Sequence, residues 1–392
     1  MKILVVSPYI PYPPSFGGSV RIYHLLRELS RSHDVTVVTY CSDDGLGDPA
    51  GLEDVSSRVV LVNRPPVNKR RDQVRSLLSR HSYQYRTHHG AAMQEAIERT
   101  VREKEPDLIV AEFVQMAVFD FSPIIPLVID EHNVEYDLMK RMAEKDTVSL
   151  RKLFNMLEAA KLRREELACL RKAALVLATS ERDAEMIKKA APGLQTSVIT
   201  NGVDVPFFAA KEPGPEPDTA VFVGATHYFP NEDGLCFFME NIYSRILQER
   251  RDFRLEIVGG RPPPRVAAYA GENVHVTGFV EDVRPYMWSA RVFVVPLRMG
   301  GGTRLKVVEA MAAGIPVVST TLGAEGIPAE HDRHLLLADD PAAFAQAVIR
   351  VLKDREKAEA LRRAGREFVG CYFDWPVIGK RLDAELGKLV GQ

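Results

Sequence analysis

The sequence predicts an α/β protein built from two doubly wound domains, each a mainly parallel sheet covered by helices on both faces. Three observations predict it. Short apolar runs alternate with amphipathic helical stretches from one end of the 392-residue chain to the other. The alternation pauses at a segment rich in proline and charge, Lys211–Asp218 (KEPGPEPD), and then restarts. Each half opens with an apolar strand running into a loop, so two facing domains would enclose a central cleft at the carboxyl ends of their sheets.

In the first half, Ile3–Val6 reads as the opening strand, followed by a Pro/Gly loop and a helix from about Ser19 to Ser32. Val35–Thr39 and Val59–Val62 read as the next strands, and a helix over Ala91–Lys104 leads to the strand Leu108–Ala111. Ile124–Ile129 and Leu175–Thr179 are later strands, separated by a long charged helical stretch from Tyr136 to Lys172. The second half opens with Ala220–Val223, which ends at Gly224 before a helix over Asn231–Gln248. Strands Leu255–Val258, Val274–Val276, Val292–Val295 and Pro316–Ser319 follow. The C-terminal end is helical, and Asp374-Trp375-Pro376 breaks it before a final helix. The expected domains are residues 1–204 and 205–371, joined through Asn201-Gly202-Val203-Asp204, with the helix at 374–389 packing back on the first domain.

Composition narrows the function classes. Hydrophobic residues make up 46% and charged residues 27%, as in soluble globular proteins. A net charge of −2 supplies no overall drive toward nucleic acid or membrane. The four cysteines (Cys41, Cys169, Cys236, Cys371) lie far apart, with no CxxC pair and no His/Cys cluster of metal spacing, which fits a reduced cytoplasmic setting. The first strand starts within two residues of Met1 and soon meets Pro8, unlike a signal peptide. No run approaches the roughly 18 apolar residues of a membrane span.

The densest chemistry lies in residues 299–319, MGGGTRLKVVEAMAAGIPVVS. Three glycines (Gly300, Gly301, Gly302) and Thr303 lead into a short helix that ends at Gly314-Ile315-Pro316. The helix is apolar almost all round, yet carries Arg304 and Lys306 in its first turn and Glu309 one turn on. Cations oppose the macrodipole there, so they are well placed only beside an anion held by loop amides, the helix end and both side chains. Glu309 shares a face with Lys306 and could accept hydrogen bonds from a sugar diol. Phosphate beside a polyol describes a nucleotide diphosphate. The competing reading is a Lys306–Glu309 ion pair on a surface helix.

Other loops carry weaker signals. Ser7–Ser19 contains Gly17-Gly18 but no GxGxxG; the glycines permit close approach to a ligand, while Ser19 suits a helix cap. His132, in Asp130-Glu131-His132-Asn133-Val134-Glu135, stands at the carboxyl end of a strand, where it reads equally as a site histidine or a solvated one. Four polar residues in a row suggest that the chain has entered a cleft or the surface there. His227 and Asn231, in HYFPN, could line a base or sugar pocket; Asn231 reads equally as a helix cap. Asp43-Asp44 and Asp339-Asp340 are adjacent acids without DxD spacing, so they read as turn or capping residues and no metal cofactor is expected. Residues 69–89 carry six Lys/Arg against one Asp, with Tyr83 and Tyr85 interleaved. A solvated helix face explains them more readily than weak peripheral contact with anionic lipid. Arg151–Lys172, with seven basic residues and three glutamates, is a weaker membrane signal still.

The run GGGTRLKVVEAMAAGIPVVST resembles the donor-binding signature of the group 1 (family 4) retaining glycosyltransferases, in the branch with the GGTRLK pattern. The opening strand, glycine-pair loop and helix, NGVD at 201–204 and VFVGATHYFPN resemble further segments of these enzymes, in the right order. The resemblance implies the GT-B fold: two Rossmann-like domains facing a central cleft. It implies that Glu309 binds the ribose of a nucleotide sugar. Arg304 and Lys306 would hold the diphosphate with help from Gly18, Gly302 and Thr303, and His132 would be the active-site histidine near the transferred sugar. A saccharide or lipid-linked acceptor, in cell-surface polysaccharide or glycolipid synthesis, is the family-level expectation.

Two departures matter. Many members carry a pair of glutamates separated by seven residues, and here the first of those positions is Gly301. Many also carry an Arg and a Lys after the first strand of the second domain, where this chain reads Ala225-Thr226-His227-Tyr228. Two alternatives to a transferase stay open: a sugar-nucleotide epimerase, and a catalytically silent sugar-nucleotide-binding subunit.

Overall fold

A computed structural model describes residues 1–41, 47–65, 68–145, 149–209, 218–299 and 304–391. The chain forms two compact units, Met1–Thr200 with Gly379–Gln392, and Asn201–Ile378. The final helix, Trp375–Val390, gives its opening turn to the second unit and the rest to the first.

The first unit holds seven parallel strands: β1 (Lys2–Ser7), β2 (Asp34–Cys41), β3 (Arg58–Asn63), β4 (Leu108–Glu112), β5 (Leu127–Glu131), β6 (Leu175–Ala178) and β7 (Thr196–Val198). Their order is β3-β2-β1-β4-β5-β6-β7, so the winding reverses between β1 and β4. At such a switch point the loops after neighbouring strands part and open a crevice. The helices are α1 (Gly17–Leu29), α2 (Lys69–Leu77), α3 (Tyr83–His88), α4 (Ala91–Lys104), α5 (Glu135–Lys145), α6 (Ser149–Leu170) and α7 (Glu181–Ala190).

The second unit repeats the plan with β8 (Thr219–Val223), β9 (Arg254–Val258), β10 (Val274–Gly278), β11 (Val292–Val295), β12 (Val317–Ser319) and β13 (Leu336–Leu337), in the order β10-β9-β8-β11-β12-β13. Its switch lies between β8 and β11. Val221, Phe293 and Val317 pack with Val308 and Met311 on one face of the sheet. Ala220, Phe222, Val292 and Val294 pack with Phe238 and Phe344 on the other. Burial on both faces is why β11 reads as an unbroken apolar run, Val-Phe-Val-Val. The helix Leu305–Ala312 is buried, as its all-round apolar sequence requires.

Several expectations shift. The strand expected at Ile124–Ile129 begins at Leu127, and Ile124 is exposed. The stretch Tyr136–Lys172 forms two helices, α5 and α6, and the helix over Asn231–Gln248 is a helix at Phe229–Phe238 continued through a π-turn to Ser244–Glu249. Ser19 does not cap α1, which starts at Gly17; its hydroxyl reaches back to accept from the Phe16 amide at 3.1 Å. Asp340 caps the helix Pro341–Lys353 and Asp339 binds the Thr321 amide and hydroxyl, so this acidic pair has the turn-and-cap role read from sequence. Asp43-Asp44, the linker 210–217 and the glycine run 300–303 lie outside the described residues.

The three glutamates of α6 face inward. Glu158 accepts from the Tyr83 amide at 2.6 Å and Glu165 from the Ser82 amide at 3.0 Å, at the start of α3. Glu166 accepts from the Tyr136 amide at 3.0 Å, at the start of α5. They satisfy helix-end donors that lack intrahelical partners. The basic residues of α6 are thereby left to dominate its solvent side.

Candidate active site

In the first unit a polar cluster is assembled at the carboxyl ends of β4 and β5. Strand alternation sends Asp130 and Glu131, the last two residues of β5, to opposite faces of the sheet. Both are buried, as is His132, while Asn133 is exposed, so the polar run leads from the interior to the surface. Asp130 meets Arg21 of α1 in a bidentate pair: Arg21 Nε donates to Oδ2 and Nη2 to Oδ1, each at 2.7 Å. Arg21 Nη1 also donates to the Thr200 carbonyl at 3.1 Å. An arginine on the apolar face of an amphipathic helix is tolerable only with such a partner.

His132 sits beside this pair with only 7% of its surface exposed. Its Nε2 lies 3.0 Å from Glu112 Oε2 and 3.4 Å from Asp130 Oδ2. Burial alone would lower the imidazole pKa, but Asp130 and Glu112 outweigh it and hold the pKa above its ordinary value. Burial pushes the Glu112 carboxyl up to about 7, helped by the charge of Asp130 and opposed by His132 and Arg21. Phe113 stacks on the imidazole with ring centroids 3.7 Å apart. Its backbone stands at φ 65°, a left-handed conformation that is costly for an aromatic residue.

Gly18 belongs to the same neighbourhood. A Cβ there would come 2.2 Å from the Tyr9 hydroxyl and 3.1 Å from Phe113 Cζ, so only glycine fits. Within the first unit the fold thus brings Gly18 and His132 together, with Phe113 touching both.

The second unit places its residues after β8 and at the helix Leu305–Ala312. Lys306 Nζ donates to Asn231 Oδ1 at 2.9 Å and lies 4.3 Å from the centre of the Phe222 ring. Asn231 Nδ2 donates in turn to the Ala225 carbonyl at 2.9 Å. Gly224 makes room for this pair, since a Cβ there would stand 2.6 Å from Lys306 Nζ. Asn231 is therefore not a helix cap; Tyr228 holds that position and Asn231 points at the lysine. Lys306 and Glu309 influence each other but form no ion pair within 4.0 Å, so the surface-pair reading does not hold. Desolvation pushes Lys306 down to about 7 despite Glu309, with Arg304 adding to the fall. Burial raises Glu309, which Lys306 offsets only in part. Arg304 is the residue just before the helix and is itself buried, with its pKa lowered by desolvation.

Not every residue singled out from the sequence joins these groups. His227 is exposed and turns its Nδ1 to the Gly260 carbonyl at 3.3 Å. Gly302 and Thr303, like Gly301, lie outside the described residues. Conversely, the sequence reading passed over Arg21, Glu112 and Phe113. A cation on the buried face of α1 was the one available signal for this group. Glu112, Asp130 and His132 bring one potential ligand atom each within 4.8 Å of one another. Those atoms are already engaged, and the Arg21 guanidinium on Asp130 would repel a divalent ion, so the donor set fits an ion-pair network rather than a metal centre.

Comparison with known proteins bears on this arrangement. Residues 17–207 match the family model described as Glycosyltransferase Family 4, and residues 217–354 match Glycosyl transferases group 1. The chain belongs to the group 1 glycosyltransferases. It is 31% identical over 199 residues to a phosphatidyl-myo-inositol mannosyltransferase of Mycobacterium tuberculosis, covering 47% of this chain and 52% of that protein. It is 33% identical over 144 residues to a GDP-mannose-dependent alpha-(1-6)-phosphatidylinositol monomannoside mannosyltransferase of the same species, covering 33% and 37%. These matches therefore span about a third to a half of the curated relatives' lengths. Among solved structures, sucrose-phosphate synthase from Thermosynechococcus elongatus aligns over 100% of both chains at TM-score 0.68 and 19% identity. Anabaena HepE in complex with UDP aligns over 99% of this chain and 100% of its own at TM-score 0.67 and 17% identity. Such likeness establishes the GT-B fold, which is the fold class expected from the sequence.

Proposed function

We propose that this chain transfers a sugar from a nucleotide-diphosphate donor to a hydroxyl of a saccharide or lipid-linked acceptor, with retention of anomeric configuration and without a metal. The observation that carries the reading is Lys306, a desolvated cation held by a carboxamide at the end of β8, with Arg304 next to it and Glu309 one turn on. A diphosphate entering this corner would restore the full charge of Lys306 and take up positive charge that a metal supplies elsewhere. Glu309 would accept hydrogen bonds from the ribose hydroxyls.

The difficult event is departure of the diphosphate as positive charge develops on the sugar. Cations fixed beforehand around the leaving group lower that barrier. His132 would stand near the transferred sugar, and the missing carboxylate at Gly301 leaves sugar choice to other groups. Kinship with enzymes named as phosphoinositide mannosyltransferases supports a glycolipid or polysaccharide product.

Peripheral contact with a membrane on the cytoplasmic side belongs to the same reading. Among the described residues no helix is long and apolar enough to cross a membrane. Val74, Leu77 and Leu78 are exposed at α2, and Met142, Leu153 and Met156 on α5 and α6. With the α6 glutamates turned inward, basic side chains border these apolar ones, a composition that suits anionic lipid.

Screening sugar nucleotides of each base for binding, then analysing products by mass spectrometry with and without saccharide and lipid acceptors, tests the proposal. Acceptor-dependent glycoside formation with release of nucleoside diphosphate is expected. Conversion of the donor alone to an isomer would replace the reading with an epimerase. Tight binding without turnover would replace it with a binding subunit.

A further inference from the structure

Four charged side chains are buried together around His132, and their partnerships are unequal. Arg21 takes both oxygens of Asp130 at 2.7 Å, and that carboxylate also lies 3.4 Å from His132 Nε2. Glu112 has no such cation among the described residues; its Oε2 lies 3.0 Å from His132 Nε2. Glu112 is the nearer carboxylate to the imidazole, while Asp130 is shared between Arg21 and His132.

The same contact decides which nitrogen can meet a substrate. Nε2 is consumed by Glu112, with Asp130 close behind at 3.4 Å. Phe113 covers one face of the ring, and its own strained backbone is set by an amide that donates to the Asp130 carbonyl at 2.9 Å. Nδ1 makes no hydrogen bond among the described residues. A second ring hydrogen bond commonly fixes the tautomer and orientation of a working histidine.

We propose that Glu112 is the positioning residue of this site: it holds His132 through Nε2, so that His132 meets substrate through Nδ1 as a charged N–H donor and not as a base. This rests on the transferase reading only for the identity of the substrate. A donor fixed in that state suits a partner that gathers negative charge or offers a lone pair, such as a hydroxyl of the transferred sugar. It does not suit removal of the acceptor's proton.

The charged groups facing His132 come from every element around it: Glu112 on β4, Asp130 on β5, Arg21 on α1 and Glu135 on α5. Tyr9, near Glu112, keeps its proton through the whole accessible range because burial raises its pKa. As pH rises through the raised His132 value the ring loses its Nδ1 proton, so the alkaline limb of activity should report this group.

The direct test is nitrogen NMR of protein labelled only at histidine, with the His132 signals assigned by their loss in His132→Gln. The expected wild-type spectrum near neutrality is an imidazolium with both nitrogens protonated. Glu112→Gln keeps the hydrogen-bond geometry and removes the charge, so the His132 titration should move to lower pH. With an active donor–acceptor pair, the alkaline limb of kcat/KM should move the same way and its neutral value should fall about tenfold or more. Phe113→Leu, which keeps the carboxylate, should leave the titration in place and serves if Glu112→Gln folds poorly. A neutral His132 carrying its proton on Nδ1, or a titration unmoved in Glu112→Gln, would overturn the proposal. Correct NMR behaviour with no transferase activity would instead overturn the proposed reaction and leave the positioning role standing.

Discussion

The two halves of this glycosyltransferase handle a buried cation in opposite ways. In the first unit the charges are answered from within: Arg21 by Asp130, and His132 by Glu112. In the second unit Lys306, among the described residues, meets the carboxamide of Asn231 and the face of Phe222, with Glu309 acting on it without an ion pair. The electrostatic result is opposite too. Carboxylates keep the His132 pKa high in spite of burial, whereas burial drags Lys306 down to about 7. A histidine whose charge is settled before substrate arrives is a fixed part of the fold. A lysine whose charge is unsettled is one that a bound anion would complete.

The largest expected difference is in stability. Asp130→Asn leaves the Arg21 charge buried without its carboxylate and should cost about 3–5 kcal/mol in denaturant unfolding. Lys306→Met removes a charge that offsets Glu309 only in part and that is itself largely lost to desolvation, and should cost clearly less. Equal losses would erase the contrast between the two units.

Turnover should divide the other way. Arg304→Ala, Lys306→Ala and Glu309→Ala are each expected to lower kcat by about 10²–10³ in folded protein, the effect of removing a group aimed at transition-state charge. Near-normal rates in all three would remove the donor site from this corner.

Smaller effects concern carboxylates with no cation at hand. Burial, together with neighbouring acids, raises Glu131, and Glu166 is pushed up to about 8. Because their folded values exceed the unfolded ones, protonation stabilises the fold. That contribution is complete below the ordinary carboxylate range and is lost as pH rises through the raised value. The melting temperature should therefore fall as pH rises from the ordinary carboxylate range to about 8, and Glu131→Gln should flatten the decline. At the small end, His227→Ala should change donor affinity little, since that ring turns to the Gly260 carbonyl.

What could be read from the chain beforehand follows the same division. Strands buried on both faces announce themselves as apolar runs, so β1, β8 and β11 were legible almost to the residue. The short edge strands Thr196–Val198 and Leu336–Leu337 carry too few residues for any period, and were not. Lys306 and Glu309 were legible because charge inside an apolar helix is conspicuous. Glu112 was hidden as one acid at the end of β4, and Arg21 meets Asp130 across 109 positions of sequence. Asn231 was read equally as a pocket residue and as a helix cap, because a carboxamide near a helix start suits either, and the contact with Lys306 removes the cap reading.

The central claim is that a diphosphate completes the charge of Lys306. Calorimetric titration of the protein with nucleoside diphosphates at about pH 8, in two buffers of different ionisation enthalpy, reads the protons taken up on binding. Net uptake that disappears, along with most of the affinity, in Lys306→Met is the expected result. Tight binding with no uptake, equally strong in Lys306→Met, would contradict it.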